Sequence, residues 1–567
     1  MSAIDVVSML PSQSQVSHPS TELTHEKGVS SDSLPPAEEW KPDRRFILVL
    51  SALSFATLLA GLECTVVGLS LPAIAKDLHA TETVSWVGSS FLLLTTCAQP
   101  LMGSLADIFG RRPTIQLAIV LFAVGSLMGG VAKNMGTLIA GRVIQGAGGG
   151  GITVLTEIVL SDLVPLSQRG AYYGMIGMAF SIGTTIGPII GGAFAQYVTW
   201  RLNFYIMLPF AAVSLVLVSF LNLKSPEITL AAGLAQVDWL GIVTLSGSLT
   251  GILIALSWGG GLYAWNSLNI ILALVFSALG LGVYLFIEFR VAKRPSLPKI
   301  LLTNRTALAG FVFTFAHGVV AFGLIYYLPI IFQSVKGHGL MRSAVDVLVT
   351  CFVLSPSAVA GGLLMVYTGD YKYIMLFGAA VQTIGLGLMS MWTVTSNGEL
   401  YGYQVPGAMG VGLGFSVVLA GIQNSLPENT VALSAATQQF LRNFGGMFGV
   451  AIGATVLQSR FADNLDDVFG GGLYAFTSAE RDHVLSEVSK TSALSYVDFI
   501  NTLSPGAAEA VRATFARSFA DNWYVLLPFS GICIVSTLVM KKVALRTTVE
   551  SDYGLKDKPA EIEAGNV

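Results

Sequence analysis

Long apolar stretches separated by short polar segments run through most of this chain. A helix needs roughly 20 apolar residues to cross a bilayer core about 30 Å thick, and stretches of that length recur along the sequence. Their approximate limits are residues 46–70, 84–104, 114–132, 137–160, 172–194, 204–223, 238–256, 269–288, 308–332, 345–367, 374–393, 402–422, 433–457 and 523–543. The pattern predicts an all-α membrane protein with about 14 transmembrane helices.

Composition agrees with this pattern. Of the 567 residues, 53% are hydrophobic and 11% are charged, and the mean hydropathy is +0.68, which is too apolar for a soluble surface. The N-terminal segment differs, because residues 1–44 are rich in Ser, Pro and Glu and lack the apolar core of a signal peptide. Segments 1–44 and 546–567 are therefore predicted to be cytosolic tails, the first of them disordered.

Basic residues predict the orientation of the helices. If the N-terminus is cytosolic, most lysines and arginines beside the predicted spans fall on the cytosolic side, including Arg44, Arg45 and Lys541. Both termini are then cytosolic, and the segment 458–521 lies outside as a solvated acidic loop. The plasma membrane is the expected location, with a vacuolar or vesicle membrane as the alternative.

Charge and cysteine content argue against several classes of function. The net charge is -3 with no dense run of Lys or Arg, so no nucleic-acid partner is expected. The four cysteines lie in apolar stretches without metal-ligand spacing, and neither a metal site nor a cofactor is predicted. The sequence lacks the phosphate-binding loop of an ATP-driven pump and the nucleophile and base of an enzyme.

The chain also repeats itself. The ladder Gly183, Gly187 and Gly191 in the fifth span recurs 262 residues later in the thirteenth, and Gly103 recurs as Gly362. Spans one to six therefore match spans nine to fourteen, with spans seven and eight inserted between them. Two such halves in the same orientation are typical of transporters with a central cavity. The predicted units are a six-helix bundle at 45–223, an inserted helix pair with its flanking loops at 224–305, and a second six-helix bundle at 306–545.

Several motifs resemble a known family. The segment Gly103-x-x-x-Asp107-x-x-Gly110-Arg111-Arg112 resembles the signature of the major facilitator superfamily between its second and third helices. Arg142-x-x-Gln145-Gly146 and Gly183-x-x-x-Gly187-Pro188-x-x-Gly191-Gly192 resemble two further signatures of that family. The first-span run at 62–67 and the inserted pair resemble the fourteen-span drug:proton antiporters, of the type found in fungal toxin and multidrug exporters. The resemblance implies the major facilitator fold, with two six-helix bundles related by a pseudo-two-fold axis.

The first signature supplies the candidate gating residues Asp107, Gly110, Arg111 and Arg112. A carboxylate at a helix end can pair with a guanidinium one turn later, and the resemblance implies that this contact locks the gate between the halves. The alternative is that the arginines only set the topology. The second half has Val366 at the position of Asp107, so such a lock would be asymmetric.

Glu63 and Arg142 are the candidate proton-coupling residues. Glu63 lies inside the first span, where an ionised carboxylate is costly, and it is therefore a natural proton carrier. Arg142 lies inside the fourth span, and Glu63 is the partner we would test for it because a buried guanidinium stays charged. The alternatives are a carboxylate that reaches the outer surface and an arginine that caps carbonyl groups at the membrane interface.

Gly183, Gly187, Pro188 and Gly191 form the candidate antiporter motif. Small residues four positions apart let helices approach closely, and the proline removes a backbone donor. The resemblance implies that this segment opposes leakage and favours antiport, whereas a generic packing motif would carry no direction.

Other polar and aromatic residues are candidates for a substrate cavity. Intramembrane cations and histidines are often functional, and aromatic walls suit bulky apolar compounds. The alternatives are hydrogen-bonded core residues and aromatic side chains that face lipid. The predicted cavity residues are Gln145, His317, Tyr326, Tyr327, Gln438 and Arg442.

Together these patterns predict a secondary active efflux transporter. It would export a small, hydrophobic organic compound, such as a secondary metabolite, toxin or drug, in exchange for protons by alternating access. Proton-coupled uptake of an iron chelate, sugar or amino acid is the main alternative, and a nontransporting membrane sensor is the other. The expected partners are the small-molecule substrate, protons and the lipid bilayer, and the protein is expected to be monomeric.

Overall fold

Fourteen helices long and apolar enough to cross a membrane make up most of the described chain. The computed structural model describes residues 42–79, 85–221, 223, 228–259, 263–292, 295–470, 477–490, 500 and 502–543. The spanning helices are α1 (Arg44–Val66), α2 (Trp86–Phe109), α3 (Arg111–Gly130), α4 (Met135–Leu163), α5 (Leu166–Tyr197), α6 (Leu202–Ser219), α7 (Trp239–Leu256), α8 (Leu268–Arg290), α9 (Arg305–Ser334), α10 (Met341–Thr368), α11 (Lys372–Met389), α12 (Gly398–Asn424), α13 (Val431–Val468) and α14 (Pro505–Val539). Within these residues every regular element is a helix, as the apolar pattern predicts. Residues 1–41 of the tail predicted at 1–44, and the whole tail predicted at 546–567, lie outside the described residues.

Polar side chains fix where several helices begin. The first backbone N–H groups of a helix have no partner within it, and an Asp, Asn or Ser side chain just before the helix can accept from one of them. The Asp43 carboxylate accepts from the N–H of Phe46 at 2.7 Å, and Asn134 accepts from Thr137 at 2.8 Å. Similar caps precede the helices that follow Asp238, Ser267, Asn304 and Ser504.

Helix ends on one side of the bundle contact one another, and we call this side the terminal face. The start of α1 packs on the start of α5 through Phe46 and Tyr172, whose ring centroids lie 5.1 Å apart. The end of α12 reaches the residues after α14, because Asn424 donates to the carbonyl of Val543 at 3.0 Å. Arg169 at the start of α5 bonds Gln423 near the end of α12, so the described chain begins and ends on the same face. The other side is called the opposite face.

The two halves, α1–α6 and α9–α14, pack in matching ways. A Cβ added to Gly183 of α5 would lie 2.3 Å from the carbonyl oxygen of Leu58 on α1. A Cβ on its repeat partner Gly445 of α13 would lie 2.2 Å from the carbonyl oxygen of Phe315 on α9. The glycine ladders thus let backbones touch within each half, which is the packing role expected of small residues at this spacing.

The turn after α2 also repeats. Gly110, between α2 and α3, has φ 91°, and Gly369, between α10 and α11, has φ 65°. Residues with a Cβ rarely adopt this conformation, so glycine is required at both turns. The repeat is therefore visible in backbone geometry as well as in sequence.

The halves meet along two seams, α5 against α10 and α2 against α13. Near the terminal face the contacts are close, because a Cβ on Gly362 would lie 2.0 Å from the carbonyl oxygen of Gly170. A Cβ on Gly103 would lie 2.7 Å from the Cβ of Ala436. Gly103 and Gly362 are repeat partners, so each half presents the same glycine to the other across the pseudo-two-fold axis.

The inserted helices α7 and α8 cover the second seam. They pack on each other, and α7 also contacts α2 from one half and α13 from the other. Leu93 of α2, Leu249 of α7, Tyr284 of α8 and Met447 of α13 belong to one buried apolar cluster. The insertion therefore adds to the outside of the bundle without separating the halves.

The segment predicted as an outer loop, 458–521, is helical over much of its described part. The helix that contains α13 continues to Gly470, α14 begins at Pro505, and a further helix spans Ser478–Lys490. Phe461 and Phe515 are buried in this region with ring centroids 4.7 Å apart. Hydropathy ends the spans early because these helix extensions are amphipathic, with buried aromatics on one side and exposed acidic residues on the other.

The glycine contacts make a stability prediction. We expect Gly183→Ala and Gly445→Ala each to destabilise the fold by about 1–3 kcal/mol, because the added methyl group overlaps a backbone carbonyl that cannot easily move. Fluorescence-detected size-exclusion chromatography after heating in detergent would show a lower melting temperature. Gly247→Ala on α7 is the control, since a Cβ there has no neighbour within 4 Å. Equal melting temperatures for Gly183→Ala and Gly247→Ala would contradict the packing role.

Candidate functional site

Three clusters of buried charged groups include residues of α4. We call them the Glu63 cluster, the Arg111 cluster and the Glu157 cluster. The first two lie within the N-terminal half, and the third joins the two halves.

The Glu63 cluster ties four helices together near the opposite face. Arg142 of α4 donates through Nη1 to a carboxylate oxygen of Glu63 on α1 and, at 2.7 Å, to the amide oxygen of Gln145. Its Nε donates to the carbonyl of Val87 on α2 at 2.9 Å, and Gln145 donates to Ser126 of α3 at 2.8 Å. The sequence analysis named Glu63 as the partner to test for Arg142, and the structure brings the two together.

Burial makes this ion pair chemically significant. Glu63 is 1% exposed and Arg142 is 3% exposed, while the ring of Phe91 lies 4.2 Å below the guanidinium carbon. Only Oε1 of Glu63 is hydrogen-bonded, and Oε2 has no hydrogen-bond partner. A buried carboxylate with a free oxygen has room for a proton, and its charge depends on one guanidinium.

The Arg111 cluster lies at the terminal face, at the turn between α2 and α3. Arg111 donates to Asp107 at 2.9 Å and to the carbonyl of Ala106 at 2.8 Å, while its Nε donates to Asp162 of α4 at 2.7 Å. Arg111 and Asp162 are buried, whereas the side chain of Asp107 is 27% exposed. The contact predicted between Asp107 and Arg111 is present. Arg111 also binds Asp162, a carboxylate that was not predicted from the sequence.

Arg112 has a different contact from its neighbour. It donates to the carbonyl oxygen of Ser219 at the end of α6, at 2.6 Å, so it binds a helix end and not a carboxylate. The contacts described for Arg111 and Arg112 therefore hold helices of one half together. The contact between the halves is made by other residues.

Polar contacts between the halves lie next to the Arg111 cluster. Ser161 of α4, adjacent to Asp162, accepts from the Gln423 amide of α12 at 3.1 Å. Gln423 in turn accepts from Arg169 of α5 at 2.9 Å. Ser161 and Gln423 are 262 residues apart, which is the offset of the repeat, so they meet on the pseudo-two-fold axis. The Arg111 cluster therefore reaches the inter-half contact through α4.

The second half closes its own turn in another way. Asp370 pairs with Lys542, which follows α14, at 2.6 Å, and Lys372 donates to the carbonyls of Leu538 and Met540. Burial alone would raise the pKa of the Asp370 carboxyl, but the Lys542 ammonium and nearby backbone N–H groups outweigh it, so this pKa lies below its ordinary value. This turn holds the end of α14, so its contacts differ from those of the turn between α2 and α3.

The Glu157 cluster bridges the halves inside the bundle. Gln439 of α13 donates to Oε1 of Glu157 on α4 at 2.7 Å, and Arg442 Nη1 lies 3.7 Å from the same oxygen. The guanidinium of Arg442 stacks 3.9 Å from the ring centroid of Phe415 and donates to that residue's carbonyl at 3.5 Å. The sequence analysis named Arg442 but not Glu157.

Several polar atoms in this cluster are buried without a hydrogen-bond partner. They are Oε2 of Glu157, Nε and Nη1 of Arg442, and both amide atoms of Gln438. Buried polar groups without partners are rare and costly in folded proteins. Their concentration where the two halves meet marks this place as a functional candidate.

The six predicted cavity residues do not share one site. Gln145 belongs to the Glu63 cluster. His317 is buried, stacks on Phe313 and bonds the carbonyl of Val411 at 3.0 Å. Tyr327 donates to the carbonyl of Val450 within an apolar cluster, whereas Tyr326 is 48% exposed. Gln438 and Arg442 remain together on α13.

Two functional candidates, Glu157 and Asp162, were missed by the sequence analysis, although the signal was present. Both are carboxylates of α4, and Glu157 lies inside the predicted span 137–160. An acidic residue within an apolar span is itself a reason to expect function. The mean hydropathy of a window changes little when one acid lies among many apolar neighbours. The glycine signature of α4 lies in another part of the helix.

Comparison with known proteins agrees with this architecture. Residues 53–450 match the sequence model of the Major Facilitator Superfamily. The MFS-type transporter pydD of an Acremonium species is 36% identical over 534 residues, covering 91% of this chain and 90% of that protein. The MFS-type efflux pump LUC4 of a Fusarium species is 35% identical over 541 residues, covering 94% of each.

Solved structures share the fold. The crystal structure of the human organic anion transporter MFSD10 (TETRAN) matches with a TM-score of 0.56 and 17% identity, covering 88% of this chain and 100% of that one. With the family match and the two relatives, the fourteen helices and the repeated halves lead to one conclusion. The chain belongs to the Major Facilitator Superfamily and is a multi-pass membrane transporter of small molecules, not an enzyme.

Proposed function

We propose that this protein exports a small, hydrophobic organic compound in exchange for protons. The observation that carries the proposal is the buried pair of Glu63 and Arg142, in which one carboxylate oxygen has no hydrogen-bond partner. A carboxylate at such a position alternates between an ionised form paired with arginine and a protonated form. Proton entry through Glu63 would supply the energy for export.

The geometry supports a specific role for each member of the Glu63 cluster. When Glu63 takes up a proton, Arg142 loses its charged partner but keeps the hydrogen bonds to Gln145 and to the carbonyl of Val87. The guanidinium therefore stays in place in both states, and Gln145 is held in turn by Ser126. In this proposal Gln145 positions the arginine and does not contact substrate.

The direction of transport is supported by the relatives. LUC4 is named an MFS-type efflux pump, and the chain matches it over 94% of its length. Gly183, Gly187 and Gly191 pack α5 directly on α1, the helix that carries Glu63. We propose that this tight contact, together with Pro188, keeps α5 and α1 moving as one body and limits leakage.

The hydrophobic character of the substrate is supported by aromatic side chains. Phe315 of α9 and Phe440, Phe444 and Phe448 of α13 form a continuous run with ring centroids 5.1–5.8 Å apart. Flat apolar compounds bind well against such surfaces. In the proposal this run is the apolar wall, and Arg442 with Gln438 is the polar end of the same route.

In this proposal the protein is a monomer in the plasma membrane. Its terminal face lies on the cytosolic side. Arg111, Arg112 and Lys372 all lie on that face, as the positive-inside rule requires. The Arg111 cluster then acts as part of the cytosolic gate. It stabilises the ends of α2, α3 and α4, which present Ser161 to Gln423 of the other half.

The function is tested in yeast cells that lack their own drug exporters. We expect cells that express the chain to accumulate less of at least one lipophilic fluorescent probe from a set of rhodamine 6G, Nile red and ethidium. A protonophore should restore accumulation to the level of cells without the chain, because it removes the driving gradient. Higher accumulation with the chain would indicate uptake, and no change for any probe would contradict export of hydrophobic compounds.

Glu63→Gln tests the proton carrier. Gln keeps the size of the side chain and a hydrogen bond to Arg142 but cannot carry the proton, so transport should no longer respond to a pH gradient. The measurement is probe uptake into inverted vesicles with and without an imposed pH gradient. Glu288→Gln is the matched control, because that buried carboxylate of α8 bonds Tyr284 of the same helix, Ser296 and the backbone of Leu297, none of which belongs to the Glu63 cluster. Full gradient dependence in Glu63→Gln would exclude it as the carrier.

Asp107→Asn and Asp162→Asn test the gate. Asp162 is the more buried partner of Arg111, so Asp162→Asn should lower the initial export rate by about tenfold and Asp107→Asn by less, with protein still in the membrane. Export rate per molecule at the cell surface is measured. Asp77→Asn is the control, because its bond to Arg201 is exposed and such pairs contribute little. Equal rates for Asp162→Asn and Asp77→Asn would refute the gating role.

A further inference from the structure

The Glu157 cluster differs from the other two in joining the halves. Glu157 belongs to α4, and its partners Gln439 and Arg442 belong to α13. Glu157 is 8% exposed and Arg442 is 4% exposed, so both charges lie away from bulk water when the halves are in contact. Contacts within one half survive when two rigid halves rock, but a contact between halves does not.

The closed arrangement has a charge requirement. A buried carboxylate or guanidinium is tolerated when an opposite charge compensates it, and removing one partner leaves the other uncompensated. Here the two charges lie close together but are not hydrogen-bonded to each other. Arg442 Nη1 is 3.7 Å from Glu157 Oε1, and Nε and Nη1 of Arg442 have no acceptor. The pair is thus held close without the full set of hydrogen bonds that would make it permanent.

The pair of Glu157 and Arg442 has no equivalent at the corresponding positions of the repeat. By the 262-residue offset, Arg442 corresponds to Phe180 of α5 and Glu157 corresponds to Leu419 of α12. The backbone contact at these positions is the same in both halves, because a Cβ on Gly61 or on Gly318 would lie 2.3 Å from the carbonyl oxygen of Phe180 or of Arg442, respectively. The shared packing therefore does not need an arginine at position 442.

We infer that Glu157 and Arg442 form an electrostatic latch that holds the terminal face closed, and that closure requires the two charges to balance. The inference rests on the alternating-access transport proposed above and adds residues that control which face is open. When the halves separate, water reaches both groups and the balance is no longer needed. When they close again, Arg442 keeps its charge, so Glu157 must be ionised for the two charges to balance.

Other ionisable groups near the latch have their own partners. Tyr173 of α5 interacts electrostatically with Glu157, and also with Arg169 of α5 and Asp162 of α4. Tyr173 bonds Ser161 at 2.5 Å, Arg169 bonds Gln423, and Asp162 bonds Arg111. On the far side of Arg442, His317 of α9 bonds a backbone carbonyl. Arg442 is therefore the charge that balances Glu157.

The latch is tested by measuring the distance between the halves, without any substrate. Spin labels on cysteines at Arg44 of α1 and Tyr367 of α10, both exposed, report the separation at the terminal face in lipid nanodiscs. Cys64, Cys97, Cys351 and Cys533 are first replaced by serine or alanine. Pulsed electron resonance then gives the ratio of closed to open molecules at pH 5 and at pH 8.

Three variants should behave differently. Glu157→Gln leaves Arg442 uncompensated, so the ratio of closed to open molecules should fall more than about tenfold at both pH values. Arg442→Gln leaves the carboxylate alone, so closure should require its protonation and be favoured at pH 5 over pH 8. The double variant Glu157→Gln with Arg442→Gln should recover closure and lose that added pH dependence.

The comparison separates the latch from the proposed proton coupling. Any pH effect of Glu63 is present in every variant, so it cancels between Arg442→Gln and the double variant. Glu288→Gln should leave the ratio unchanged. The inference is overturned if Glu157→Gln closes as well as the native chain, or if Arg442→Gln gains no pH dependence. A failed export assay with these shifts intact would contradict the proposed function and leave the latch standing.

Discussion

Burial of charge along α4 is the constraint on which the rest of the structure depends. This helix is among the most buried of the fourteen, yet it carries Arg142, Glu157 and Asp162. In a low-dielectric interior each charge needs a partner from another helix. The partners come from α1, α13 and α3, so the position of α4 determines how three parts of the bundle are arranged.

Glycine gives α4 the close packing that this arrangement needs. A Cβ on Gly148 would lie 2.4 Å from the backbone nitrogen of Phe122 on α3, and one on Gly150 would lie 2.3 Å from the carbonyl of Thr95 on α2. With no side chains between them, the three backbones are in direct contact. The charged groups of α4 are therefore held by a rigid framework, and their distances to partners in the same half are fixed.

Sequence predicted the framework better than the contacts within it. Apolar stretches identified the fourteen spans, and glycines with a nearly constant offset identified the repeat, because both are patterns along one chain. The pairing of Arg111 with Asp107 followed from their separation by one helical turn. Asp162 and Glu157 have partners 51 or more residues away, and no periodic pattern encodes such contacts.

The amphipathic ends of α13 and α14 show the same limit. Their charged residues lower the mean hydropathy of the sequence, so the predicted spans end there. The buried side chains of Phe461 and Phe515 nevertheless continue the core beyond those ends. An average over a window cannot distinguish a helix with one buried side from a solvated loop. The helices were therefore predicted too short at these ends, because α13 belongs to a helix that continues to Gly470 and α14 begins at Pro505.

The positions of the three clusters determine which contacts a rocking motion can change. Glu63 with Arg142, and Arg111 with Asp162, lie inside one half, so rigid rotation of that half leaves both intact. Glu157 with Gln439, and Ser161 with Gln423, cross between the halves and must separate when the terminal face opens. Because α4 carries a member of each cluster, it links the buried pair of Glu63 and Arg142 to the polar contacts between the halves. One helix is thus rigid within its own half and bound to the other half through a few polar side chains.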